Sequence, residues 1–277
     1  MRQLLPFLAA IVICAFSLPA AAQTGVAKGV DPDAIAQNKQ AVRQLVVGAD
    51  VAVGETVTTG STGMVQLLFN DATKLVVGPS SSLLIEDYLV RPDNSAGKFA
   101  ISALSGTFRF VTGKGPKNAY EITTPTGTIG VRGTAFDFTI STLVPDGVPR
   151  ADLTTHLLLL EGVVRLCNLR GECVELDDRC HFGSFNSAGV VDLPSTRQTR
   201  TELRGLFPFS RSQRDLMFPF WVTGSFECLN PAPDTTGVVV VESDPSEPNV
   251  EEPVVVETTT QTTTDTTTTT TTDPSLT

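Results

Sequence analysis

Residues 124–136 read TPTGTIGVRGTAF, and the seven residues from Thr134 read TAFDFTI. Gly127, Gly130 and Gly133 recur at every third position, with Arg132 between the last two. A glycine-rich loop with a basic residue can cradle phosphate when a helix follows, because the helix N-terminus aims its free N–H groups at the anion. No helix pattern follows Gly133. Phe136, Phe138 and Ile140 alternate with Ala135, Asp137 and Thr139, a period of two in residues that favour strands. Neither a Walker-type loop nor a dinucleotide fingerprint has its required context here. The stretch reads instead as tight β structure. Thr126, Thr128, Ile129 and Val131 favour extended chain, and the glycines admit left-handed or closely packed backbone. Arg132 is expected among packed strands, where burial demands a carboxylate; Asp137 and Glu161 are the candidates.

The same period extends outward. In MVQLLF, Val65, Leu67 and Phe69 share a face opposite Gln66; in GTFRFV, Phe108 and Phe110 oppose Thr107 and Arg109. Turn signals separate these runs, at 60–63, Asn70-Asp71, Gly78-Pro79, 92–94 and Asp146-Gly147. Closely spaced turns between short strands predict an all-β domain, sandwich- or roll-like, over residues 46–176. A short helix is expected over Pro32–Gln44, capped by Asp31, within a lead-in segment at 23–45. Residues 177–230 form an appendage, with a helix from a Ser195 cap, with Gln198 three residues on, to about Leu206. Six of the eighteen aromatic residues follow: Phe207, Phe209, Phe218, Phe220, Trp221 and Phe226. They either cover an open edge of the sheet or form a partner surface, for which Phe207, Phe209, Phe218, Phe220 and Trp221 are the candidates.

The chain ends read differently. Arg2, the apolar run from Leu4 to Leu18 and Ala20-Ala21-Ala22 predict a secretory signal peptide over 1–22, with cleavage after Ala22. Ile13 before Cys14 departs from a lipobox, and no later run has the roughly 20 apolar residues of a membrane span. The export expectation is therefore periplasmic or secreted, without a transmembrane segment after cleavage. Residues 231–277 are rich in Thr, Pro and Val, carry nine acids and lack Lys, Arg, aromatic and Cys residues, a composition expected to stay disordered. The formal charge is −10, but signal and tail account for most of it and leave about −2 over 23–230. Such a core gives nucleic-acid binding no electrostatic support.

Four cysteines follow the signal: Cys167, Cys173, Cys180 and Cys228. An even number in an exported chain implies disulfides. Of three pairings, Cys167–Cys173 with Cys180–Cys228 is favoured, because VVRLCNLRGECVEL reads as two strands around a turn at Arg170-Gly171. A zinc site of Cys167, Cys173, Cys180 and His181 matches no established spacing, so no metal is expected. No cofactor fingerprint is present. His156 and His181 have no evident nucleophile with a third orienting group, and no catalytic residue is assigned.

Taken in order, VAVGETVTTGSTGMVQLLFNDATKLVVGPSSSLLIEDY, GTFRFVTG, YEITTPTGTIGVRGTAF and LLLEGVVRL resemble the FecR-type domain, named for the periplasmic sensor of iron-dicitrate uptake signalling. The resemblance covers about Val46 to Leu176. Ala72 departs from it, standing where the family usually carries glycine. It implies an all-β, non-enzymatic domain that binds another protein or a ligand. Family members that signal also begin with a cytoplasmic sigma-factor-controlling segment and a transmembrane helix. Neither is read in this sequence, so a stand-alone secreted member is expected. The expected function is a protein-interaction or sensor module of the cell envelope, linked to iron-uptake signalling, with an envelope protein or glycan as partner. An envelope structural or glycan-binding role with a stalk-like tail is the alternative, and a periplasmic hydrolase has the least support.

Overall fold

A computed structural model describes residues 23–116, 118–143, 149–217 and 219–230. The signal segment, the tail from 231 and Phe218 lie outside the described residues.

Three glycines decide the architecture. Gly106, Gly133 and Gly162 have φ of 100°, 67° and 81°, a region that L side chains rarely enter. Each interrupts a long strand: β9 (Ala96–Val111), β11 (Gly127–Leu143) and β12 (Pro149–Asn168). On either side of the glycine the strand has different neighbours. Before Gly106, β9 pairs with β8 (Ser82–Val90) and, in parallel, with β10 (Tyr120–Thr124). From Gly106 onward it pairs with β11 and with β7 (Lys74–Val77). Strand β11 likewise passes from β10 to β9 across Gly133. Strand β12 passes from β14 (Phe182–Phe185) to β13 (Cys173–Leu176) across Gly162. The bends fold one sheet, of 15 strands among the described residues, over on itself as an all-β roll.

The remaining strands extend both layers. In one, β7 continues through β6 (Met64–Phe69) and β1 (Gln23–Asp31) to β4 (Asp50–Ala52). In the other, β8 continues through β5 (Thr56–Thr59) and β2 (Ala34–Gln37) to β3 (Val42–Gln44). Strand β15 (Val190–Leu193) pairs with β14 at the first layer's far end. The period-two residues meet between the layers: Phe99, Phe108, Phe110, Phe136 and Phe138 are at most 1% exposed, beside Ile101, Ile122 and Ile129. Their rings make a chain of contacts 4.8–5.8 Å apart.

The helix expected over Pro32–Gln44 does not form; β2 and β3 stand there as a hairpin. Ala34 and Ala36 are buried while Ile35 and Gln37 are less so, a strand alternation. Asp33 takes a left-handed φ of 75°, and the Asn38 carboxamide oxygen accepts from the N–H groups of Gln40 and Ala41 to close the turn. Tertiary pairing with β5 overrides the helix preference of these residues.

After β15 the chain forms a helical cap: α1 (Arg197–Leu203), α2 (Pro208–Arg211) and α3 (Ser225–Leu229), with 3-10 turns at Arg204–Leu206 and Gln213–Asp215. The cap of α1 is Thr196, not Ser195. Its hydroxyl accepts from Thr199 N–H, while the Ser195 hydroxyl accepts from Arg200 Nε. The helical segment lies over the outer face of the first layer. Leu203, Phe207, Val222 and Leu229 pack on Ala135, Leu158, Leu160 and Phe182. Phe209, Leu216 and Phe220 pack on Met64 and Val76. A disulfide, Cys180–Cys228, ties the cap to the segment before β14, and Cys167–Cys173 joins β12 to β13. This is the pairing favoured from the sequence.

Candidate functional site

Arg109 and Asp137 face each other across β9 and β11, on the outer face of the first layer. Both are fully buried beneath the cap. Arg109 Nε donates to Asp137 Oδ1 at 2.6 Å and an Nη atom to Oδ2 at 2.9 Å, a bidentate pair. The cap completes the network. Ser210 Oγ donates to Asp137 Oδ2 at 2.7 Å, and the other Nη donates to Gln213 Oε1 at 2.7 Å. Gln213 Oε1 also accepts from Val222 N–H, and Trp221 Nε1 donates to the Gln213 carbonyl. Every partner here is structural, so the network fastens the cap and leaves no group aimed at a ligand.

Arg132 is where the sequence reading fails. It is not buried and pairs with neither Asp137 nor Glu161. Its side chain is 59% exposed, 3.7 Å from Glu175. Asp137 is taken by Arg109 instead. The face carrying Thr107 and Arg109 looks solvated from local sequence, but the cap about 100 residues later covers it.

The turn after β6 holds a second buried acid. Asp71 Oδ1 accepts from Thr73 N–H and the Tyr88 hydroxyl; Oδ2 accepts from the hydroxyls of Thr73 and Tyr120. Burial pushes both tyrosine hydroxyls well above their usual range, and the Asp71 carboxylate adds to the rise. Ala72 has a φ of 68°, so this turn keeps the left-handed position with alanine standing in place of glycine. Four donors to the Asp71 carboxylate hold the strained conformation in place.

The glycines of the opening stretch separate into two kinds. A side chain on Gly127 would collide with the Cys167 carbonyl at 2.0 Å, and Gly133 needs its positive φ. Gly130 needs neither: a Cβ there would make only ordinary contacts, 3.7–3.8 Å, with Arg165. Gly130 instead floors an open cleft of about 540 Å³, lined also by Glu121, Thr128, Arg132, Arg165 and Cys167.

The aromatic candidates divide as well. Phe207, Phe209 and Phe220 are buried under the cap, which excludes them as contact residues of the folded protein. Trp221 is 60% exposed, with Phe226 and Met217 each 49% exposed on the same segment. Five arginines stand against three acids over residues 195–230, and Arg197, Arg204, Arg211 and Arg214 are exposed. Among the described residues no group of acids, histidines and cysteines could hold a metal, and no helix is long and apolar enough to cross a membrane.

Residues 55–165 match the model of the FecR protein family. These residues are a FecR domain. The FecR domain begins just before β5 and ends within β12, so β1 to β4 and the cap lie outside the match. No curated protein matches the chain. Two crystal structures of a "putative anti-sigma factor" from Parabacteroides distasonis ATCC 8503 are similar at 11% identity and a TM-score of 0.37. Each comparison covers 50% of this chain and 58% of that one.

Proposed function

We propose that the protein is a non-enzymatic interaction or sensor module of the cell envelope. The FecR match over 55–165 carries this reading. The two disulfides support an oxidising, exported setting. The docking surface is the cap around Met217, Trp221 and Phe226, where apolar side chains stand exposed among arginines. Exposed aromatic and arginine side chains are the usual anchors of protein interfaces, and their charge calls for an acidic partner protein. The link to iron-uptake signalling is the finer part of the reading and rests on the family resemblance.

The test is capture of envelope proteins by the full-length protein and by its Trp221→Ala, Phe226→Ala double variant. A protein retained by the first and lost by the second, at equal thermal stability, is the expected result. Identical retention by both would remove the cap as the docking surface. Unchanged transcription of iron-uptake genes on deletion of this protein under iron limitation would remove the iron link.

A further inference from the structure

The cleft over Gly130 is separate from the cap and does not depend on it. Register fixes its geometry. Glu121 on β10 and Arg165 on β12 both lie directly opposite Gly130 on β11. The three therefore form a row across the sheet, with the glycine in the middle and the two charged residues about 10 Å apart between strands. Arg132 stands two residues along β11 on the same face, diagonal to Arg165. Thr128 adds a hydroxyl two residues the other way, opposite Cys167. Glu175, beside Arg165 on β13, offers Arg132 only a long, exposed contact of 3.7 Å. Arg165 makes no ion pair among the described residues.

The glycine is the telling residue. Within a strand it costs backbone entropy and contributes no side-chain packing. Neither backbone angle nor crowding accounts for it at 130, unlike at 127 and 133. What it provides is an open floor between an acceptor and two planar donors. Glycine in a strand also marks places where another molecule approaches the backbone closely.

We propose that this cleft binds an acidic saccharide, a sugar chain bearing carboxylates. The guanidinium groups of Arg165 and Arg132 take the carboxylate, as a planar fork suits. Glu121 accepts hydrogen bonds from sugar hydroxyls on the far side of the floor, and the Thr128 hydroxyl donates or accepts between them. A ring edge rests on Gly130. An acidic peptide would satisfy the arginines but would bring fewer hydroxyl donors to Glu121.

The full-length protein would be titrated with a trigalacturonate, a neutral galactose trimer and inorganic phosphate, with binding read by calorimetry. Binding of the trigalacturonate at least about tenfold tighter than either of the others is expected, since the neutral sugar loses the charge-assisted bonds and phosphate loses the hydroxyl contacts. Arg165→Gln and Gly130→Val are each expected to weaken trigalacturonate binding about tenfold or more, with thermal unfolding unchanged for Arg165→Gln. No binding of the trigalacturonate, or equal binding of all three probes, overturns the proposal. So does trigalacturonate binding that Arg165→Gln leaves unaltered.

Discussion

The protein contains two kinds of arginine, and they should respond oppositely to substitution. Arg109 is fully buried and bidentate on Asp137. Removing it strands a carboxylate under the cap, so Arg109→Ala should cost roughly 3–5 kcal/mol in urea unfolding. Arg132→Ala breaks only an exposed contact and should change stability by less than about 1 kcal/mol. The reverse order would mean that the cap does not seal the Arg109 face in solution. Both residues were visible in the sequence as arginines on β strands. Which one was buried was not, because the covering segment is remote and a period of two reveals only that a strand has two faces. The tyrosines at Asp71 give a pH signature. Their hydroxyl pKa values are raised on folding, so the folded state holds those protons to higher pH than the unfolded chain. Stability should therefore be constant below the ordinary tyrosine pKa, near about 10, and decline as pH rises past it. In denaturation midpoints across that range, Tyr88→Phe with Tyr120→Phe should flatten the decline.

At the scale of elements, the glycine bends govern the strands. Gly162 combines a φ of 81° with a carbonyl, that of Gly133, 2.2 Å from where a Cβ would sit. Gly162→Ala should cost at least about 2 kcal/mol from left-handed strain and displaced backbone together. Gly130→Ala, free of both problems, should be neutral or mildly stabilising in the same unfolding assay, because alanine limits the unfolded chain. Most of the strands were legible because their apolar residues alternate, as in FRF and AFDF, and the turns were legible from Gly, Asn, Asp and Pro. The Ala34–Gln44 hairpin was not. Its short alanine-rich stretch suits helix and strand alike, and only pairing with β5 decides between them. The site was half legible. The glycine triplet singled out the stretch that floors the proposed cleft, but it was read as β scaffold and all three glycines were given one explanation. It takes the backbone angles to separate Gly127 and Gly133, which shape the strand, from Gly130, which leaves room above it.

At the scale of the molecule, β9, β11 and β12 each belong to both layers. Neither layer can be completed before the other, and the contacts that close them join residues distant in sequence, which favours slow folding. A single cooperative unfolding transition is expected. Trp221 is the chain's one tryptophan and sits on the cap, so its fluorescence can be compared with far-ultraviolet circular dichroism of the sheet. The two curves should coincide; an earlier fluorescence change would show the cap detaching first. The buried pair beneath that cap has a consequence for the chain's modularity. The recognisable FecR sequence stops at 165, yet Arg109 and Asp137 lie inside it while Ser210 and Gln213, which complete their hydrogen bonds, lie outside. Strand β6 likewise has its outer neighbour, β1, upstream of the match. A fragment cut to the family's borders would bare a charged pair on an apolar face and open a sheet edge at β6. The stretch that is inherited as a unit is thus smaller than the stretch that can stand as one.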